Sequence, residues 1–160
     1  MKTAFSATTR IRATPAQVFG FLADPATASV IDPAVVSYEP DGGSMGLGVH
    51  NRIRFKMLGI AVSVTSETTE WEPGSRMAFR STKPARPVVA AARHMFELCP
   101  EGTLYTWSME FFSTGLGGQP LANACARFFE RNAIVQQQRV RTVIEAVNLA
   151  GGDGTRPDAG

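Results

Sequence analysis

Residues 102–152 read GTLYTWSMEFFSTGLGGQPLANACARFFERNAIVQQQRVRTVIEAVNLAGG, and the apolar period changes in the middle of them. Up to Phe111 the period is two. Thr103, Tyr105, Trp107, Met109 and Phe111 share one face, opposite Leu104, Thr106, Ser108 and Glu110. That is a strand with one dry side. After Gly115-Leu116-Gly117-Gly118 the period becomes helical. Leu121, Ala124, Cys125, Phe128, Phe129, Val135, Val140, Val143, Ile144 and Val147 fall on one broad arc at about 100° per residue. Pro120 suits the start and Gly151-Gly152 the stop. This is one helix of roughly 45 Å. No other segment reads as a helix of similar length, so only a sheet is left to cover the arc, and it must curve to do so.

The chain upstream supplies that sheet. Phe5, Ala7, Thr9 and Ile11 alternate with Ser6, Thr8, Arg10 and Arg12. Thr14-Pro15-Ala16-Gln17 then carries a capping box with proline at the first helical position. Asp24-Pro25 repeats the signal for a second short helix, which Pro33 stops. From Val35 to Phe112 strands follow one another, broken by turn chemistry at Asp41-Gly42-Gly43, Leu58-Gly59, Glu72-Pro73-Gly74-Ser75 and Pro100-Glu101-Gly102. Parity turns Asn51, Ile53, Phe55 and Met57 inward. It does the same for Ile60, Val62 and Val64, for Met77 and Phe79, and for His94, Phe96 and Leu98. Trp71 is out of phase with Val64, which predicts a bulge between them. The expected class is α+β: a seven-stranded curved antiparallel sheet around a long C-terminal helix, with two short helices between strands 1 and 2.

Composition narrows the partners. The chain has 160 residues, 44% apolar and 19% charged, with a net charge of +2. That is one globular domain, expected at 1–150, with a glycine-rich tail at 151–160 expected to be disordered. The charges are scattered, so nothing calls for nucleic acid. The longest apolar run, Val88 to Ala92, is far below the ~20 residues of a membrane helix, and no signal peptide stands at the N-terminus. Two cysteines, Cys99 and Cys125, make no disulfide framework. The expectation is a cytoplasmic monomer or homodimer with a small-molecule partner.

These signals, in this order, resemble the START-like or Bet v 1-like helix-grip superfamily and, within it, the bacterial polyketide cyclase/dehydrase-like (SRPBCC) proteins. The residues that carry the resemblance are Ile11-Arg12-Ala13-Thr14-Pro15 with Val18-Phe19, then Leu22-Ala23-Asp24-Pro25. Gly46-Leu47-Gly48 opens a strand, and Glu70-Trp71-Glu72-Pro73-Gly74-Ser75-Arg76 closes one. Phe96-Glu97-Leu98-Cys99-Pro100, Gly102-Thr103 and the terminal helix complete the set. The resemblance implies a deep cavity between sheet and helix for lipids, polyketides or aromatic metabolites. It leaves activity open, because fold does not fix function.

The candidate site residues follow from parity and residue type. His94 is inward and titrates near neutrality, so it is a candidate acid or base, with Tyr105 as a phenol donor beside it. Asn51 is a candidate to orient a ligand carbonyl. Phe55, Phe79, Phe96, Trp107 and Phe128 supply aromatic wall. Asn132 and Gln136 are amides inside the helix's apolar arc, where only a wet or ligand-filled cavity would satisfy them. Arg139 lies near the same arc and is expected to reach solvent. Cys125 reads as a buried, inert thiol, and Glu67 and Glu70 as surface charges. No metal site is expected, since His94 and Cys99 fall on opposite strand faces, and no cofactor. Gly115-Leu116-Gly117 is no dinucleotide loop, because Pro120 stands where a third glycine belongs. The long proline-bearing segment from Lys83 to Ala92 and the glycine-rich residues 113–119 are candidate gates over the cavity mouth. Non-enzymatic binding of a small hydrophobic ligand ranks first, for want of an acid–base pair. A cyclase or dehydratase using His94, with Tyr105 or Asn51 orienting a carbonyl, is second. A protein-interaction module is third.

Overall fold

The computed structural model describes residues 2–151; past Gly151, the expected tail lies outside them. The elements are β1 (Lys2–Ile11), α1 (Pro15–Ala23), a 3-10 turn (Pro25–Thr27), α2 (Ala28–Ile31), β2 (Val35–Pro40), β3 (His50–Met57), β4 (Ile60–Glu72), β5 (Arg76–Lys83), β6 (Val88–Cys99), β7 (Gly102–Ser113) and α3 (Gly118–Gly151). The strands form one antiparallel sheet in the order β1-β7-β6-β5-β4-β3-β2. Consecutive strands pair through short turns, except that β1 closes against β7 and leaves its sequence neighbour β2 at the far edge. This is the expected helix-grip arrangement.

Local chemistry sets each boundary. Thr14 Oγ1 accepts from Gln17 N at 3.2 Å while Gln17 Oε1 accepts from Thr14 N at 2.9 Å, the reciprocal box that starts α1. Asp24 Oδ1 accepts from Ala26 N at 2.9 Å and starts the next turn. The β4–β5 register shifts between Thr68 and Glu70. That bulge rotates Trp71 onto the dry face, where its ring meets Phe19 edge-on at 5.0 Å. Between β6 and β7, Gly102 adopts φ +134°, and a Cβ there would lie 2.5 Å from Ile11 O and 2.8 Å from Ala13 O. Only glycine lets the hairpin come this close to the end of β1. Beside it, the buried Thr103 Oγ1 donates to Ala13 O at 2.7 Å.

The dry core sits at the α1 end of the sheet and along β1 and β7. Its larger members include Phe5, Ile11, Val18, Phe19, Phe96, Tyr105 and Phe111. α3 meets this core through small residues. Ala122, Ala126 and Ala133 are buried together with Gln137, Val140 and Ile144. The buried stripe is therefore rotated from the expected arc. Ala124, Leu121, Val135 and Val147 are exposed, because alanine lets the helix axis approach the sheet more closely than a leucine or valine face would. Gln137, outside the expected arc, donates from Nε2 to Ala7 O at 2.6 Å. Arg12 N donates to Glu145 Oε1 at 3.0 Å and Asn148 Nδ2 to Arg12 O at 3.1 Å. α3 thus satisfies backbone groups at and just beyond the edge strand β1, which blunts that edge.

Leu98 corrects the parity reading. It shares a face with His94 and Phe96 but is 80% exposed. The β5–β6 register runs only to Arg76↔Met95, with Phe96 N bonded to Ser75 O. Leu98 lies past the end of β5, where none of the described residues covers the strand.

Candidate functional site

α3 follows β1 and β7 closely and turns an adjacent face, with Cys125, Phe129 and Gln136, toward the open concavity of β3, β4 and β5. The alanine-lined approach on one side leaves a gap on the other. The gap is a cavity of ≈ 340 Å³. Phe129 reaches across it to Phe55, ring centroids 5.6 Å apart. Most of the wall is apolar, including Ile53, Val64, Met77, Ala92, Met109 and Phe111.

His94 lies on this wall. Its Nδ1 is 2.8 Å from Tyr105 Oη. Tyr105 is wholly buried, and burial pushes its phenol well above the usual range. The hydroxyl is therefore protonated at neutral pH, and among the described residues its one hydrogen-bond partner is the imidazole. The O–H donates to Nδ1, which places the ring hydrogen on Nε2. Burial also lowers the imidazole to about 4, so at neutral pH His94 is uncharged. Its ring lies parallel to Trp107, 6.0 Å away at 6°, on register-paired residues of β6 and β7. Trp107 lines the same wall, and its buried Nε1 has no partner among the described residues. Two rings that each carry an N–H, His94 and Trp107, therefore stand parallel on neighbouring strands of the cavity wall.

Of the residues singled out by sequence, His94, Phe55, Phe79, Trp107 and Gln136 line the cavity; Asn51, Phe96, Tyr105, Phe128 and Asn132 do not. Asn51 is fully buried but turned along the sheet, its Nδ2 3.2 Å from Thr68 Oγ1 and 3.3 Å from Val49 O. Phe96 is wedged between Phe19 and Tyr105 in the dry core. Tyr105 stands behind His94. Phe128 packs edge-on against Phe129 at 5.3 Å, and Asn132 Nδ2 is buried without a partner. Parity identifies the inward face of a strand but not where along the strand the packed core gives way to space. His94, Tyr105 and Asn51 thus do not converge on one ligand position. Cys125 packs against the core and also lines the cavity, and burial raises its thiol, so it stays protonated.

Three polar wall residues carried no sequence signal. Asp32 reads as a helix stop beside Pro33, yet it is buried and lines the cavity. Tyr38 lines it too, with its phenol raised by burial. Ser66 lines it as well, its Oγ buried without a partner among the described residues. The two candidate gate segments meet. Thr114 N donates to Pro87 O at 2.8 Å and Thr114 Oγ1 to Ala85 O at 3.1 Å. Pro84, Arg86, Pro87 and Leu121 line the cavity beside them. Residues 88–92, expected in the same loop, are instead the start of β6. No helix of the described residues is long and apolar enough to cross a membrane.

A curved antiparallel sheet gripping one long helix, with an apolar cavity between them, defines a cavity-bearing helix-grip domain. The chain belongs to the polyketide cyclase/dehydrase and lipid transport family, whose family model matches residues 2–145. Among solved structures it is similar to the Zhui aromatase/cyclase from Streptomyces sp. R1128, at 18% identity and TM-score 0.77, covering 91% of this chain and 94% of that one. It is also similar to the di-domain aromatase/cyclase BexL of the BE-7585A biosynthetic pathway, at 20% identity and TM-score 0.72, covering 98% of this chain and 51% of that one. A third likeness is to Ara h 8.0201, at 13% identity and TM-score 0.71, covering 91% and 99%. Identities this low show the shared fold. No curated protein matches the chain by sequence.

Proposed function

We propose that this protein binds a flat, mainly apolar small molecule in the cavity between sheet and helix, and that the ligand presents a carbonyl-type acceptor to the sheet. The observation that carries the reading is the pair of ring N–H groups of His94 and Trp107 on an apolar wall, the latter buried and unpartnered. A buried donor without an acceptor costs about 1–3 kcal/mol. An acceptor on the ligand recovers that cost and fixes the ligand's orientation, as a few polar groups do in an otherwise apolar site. The family and the aromatase/cyclase likenesses fit a ligand of this kind.

The test is quenching of Trp107 fluorescence by 1,4-naphthoquinone, with Trp107→Phe as control and a thermal-shift readout alongside. Saturable quenching lost in the variant, with a rise in Tm, is expected. Absence of both effects in the wild type sinks the reading.

A second reading is a cyclase or dehydratase that moves a proton through His94, and the family match favours it. Its difficulty is the imidazole held at about 4. Charging such a ring at neutral pH costs roughly 4 kcal/mol, and no convergent partner offsets that in the site. Turnover of a linear poly-β-ketone that stops in His94→Gln would establish it over plain binding.

A further inference from the structure

The wall of the cavity opposite the sheet has the reverse polarity. Asp32 is 6% exposed and lines the cavity at the end of α2. Its Oδ1 accepts from Ala34 N at 2.9 Å. No cation lies within ion-pair distance of it among the described residues. Arg139 acts on it only at longer range, and its guanidinium donates instead to Val30 O at 3.4 Å. One turn earlier on α3, Gln136 is 7% exposed, lines the same cavity, and has Oε1 buried without a partner among the described residues. Arg139, one turn from Gln136, bonds to Val30, two residues before Asp32, so α2 and α3 meet beside both residues. Asp24, on the same segment as Asp32, also lines the cavity, but it is exposed and its Oδ1 accepts from Ala26 N at 2.9 Å. The one lysine or arginine on the wall, Arg86, comes from the β5–β6 loop.

An apolar cavity bordered by a buried carboxylate and an orphaned amide oxygen needs a donor inside it. We propose that Asp32, with Gln136, is a recognition site for a hydrogen-bond donor head on the ligand, and that a protonated amine is its preferred form, with a hydroxyl next. This rests on the cavity-binding reading and names the head group that reading leaves open. Burial raises the Asp32 carboxyl above its ordinary value, the state that an incoming ammonium would reverse.

A series with one ring system tests it: 1-naphthylmethylamine, 1-naphthylmethanol, 1-methylnaphthalene and 1-naphthylacetate, with Kd measured calorimetrically at neutral pH. The expected order is amine tightest, alcohol next, hydrocarbon weaker and carboxylate weakest. Charge-assisted bonds favour the amine over the hydrocarbon by about tenfold or more. In Asp32→Asn, which keeps an acceptor for Ala34 N, the amine should lose that advantage while the hydrocarbon stays within about twofold. Gln136→Leu should weaken the amine and alcohol only. Equal binding of amine and hydrocarbon by the wild type, or an amine preference untouched in Asp32→Asn, overturns the donor-head proposal and leaves the cavity reading standing. A carboxylate that binds best overturns it in favour of Arg86. If no member of the series binds the wild type, the proposal and the cavity reading fall together.

Discussion

Acid should weaken this fold through the ring of His94. Burial holds the imidazole at about 4, against 6.5 for an exposed histidine. As pH falls below 6.5 the unfolded chain takes up a proton that the folded chain refuses, so unfolding is favoured. The loss is complete only below about 4, where both states are charged. A shift of about 2.5 units corresponds to roughly 3 kcal/mol. One side of the ring faces a cavity that water can enter, so about 2 kcal/mol is the better expectation. For a domain of this size that is a fall in Tm of about 4–8 °C between neutral pH and pH 4. Asp32 acts in the opposite sense. Its carboxyl lies above its ordinary value, so the folded state takes the proton first and acidification stabilises it. The wild-type curve therefore mixes two signs, and the quantity to measure is the difference from His94→Gln, which keeps an acceptor for the Tyr105 hydroxyl. Wild type should lose the extra 4–8 °C relative to the variant, read by near-ultraviolet circular dichroism. Ring resonances of His94 should show no titration down to about pH 5. A ring that titrates near 6.5 in the folded protein, or pH profiles that run parallel in the two proteins, refutes the argument.

Three further outcomes follow from the geometry. Thr103→Val removes the 2.7 Å bond to Ala13 O and strands a buried carbonyl, so urea unfolding should show a loss of about 1–2 kcal/mol with an unchanged m-value. Gly102→Ala drives a Cβ to 2.5 Å from Ile11 O at φ +134°; it should cost more than about 3 kcal/mol or abolish soluble expression, and a Tm close to wild type would show that the hairpin can shift. Ala92→Leu puts a larger side chain into the cavity wall; naphthoquinone affinity should fall at least about tenfold while Tm holds or rises, and a large drop in Tm would mean the space is already packed.

The fold was legible because its signals are local and agree with one another. The capping box at Thr14 and Gln17, the period change after Phe111 and the phase slip before Trp71 each record a geometric constraint within a few residues, and each appears in the structure. The rotation of α3 was not legible. Leu121, Val135 and Val147 outweigh Ala122, Ala126 and Ala133 in any count of hydrophobicity, but closeness of approach decides which face is buried. A stripe of alanines at i, i+4 and i+11 is the signal that would have found it. The site was half legible. Parity gave the inward direction of His94, Trp107 and Phe79, yet the same rule selected Asn51 and Phe96, which are inward but do not line the cavity. Asp32 escaped because a helix-terminating aspartate before proline already has a local explanation, and burial by distant elements is not written beside it.

Taken together, the two proposals set joint requirements on a ligand. On the proposed reading the sheet side offers the ring N–H groups of His94 and Trp107, and the α2–α3 side the oxygens of Asp32 and Gln136; all four residues line the cavity. Each set sits on an apolar surface, so an unmatched group on either side carries a desolvation cost. A ligand with an acceptor at one end and a donor at the other recovers both, and in one orientation only, since the reversed pose sets donor against donor and acceptor against acceptor. A pure hydrocarbon fills the same volume and recovers neither. Polarity, more than size, is therefore what this cavity can discriminate. Substituting Trp107 and Asp32 together should reduce binding of a donor–acceptor ligand by less than the product of the single losses, because losing either anchor already loosens the ligand's hold on the other. Simple multiplication of the two losses would mean that the two walls act independently and would refute the coupling.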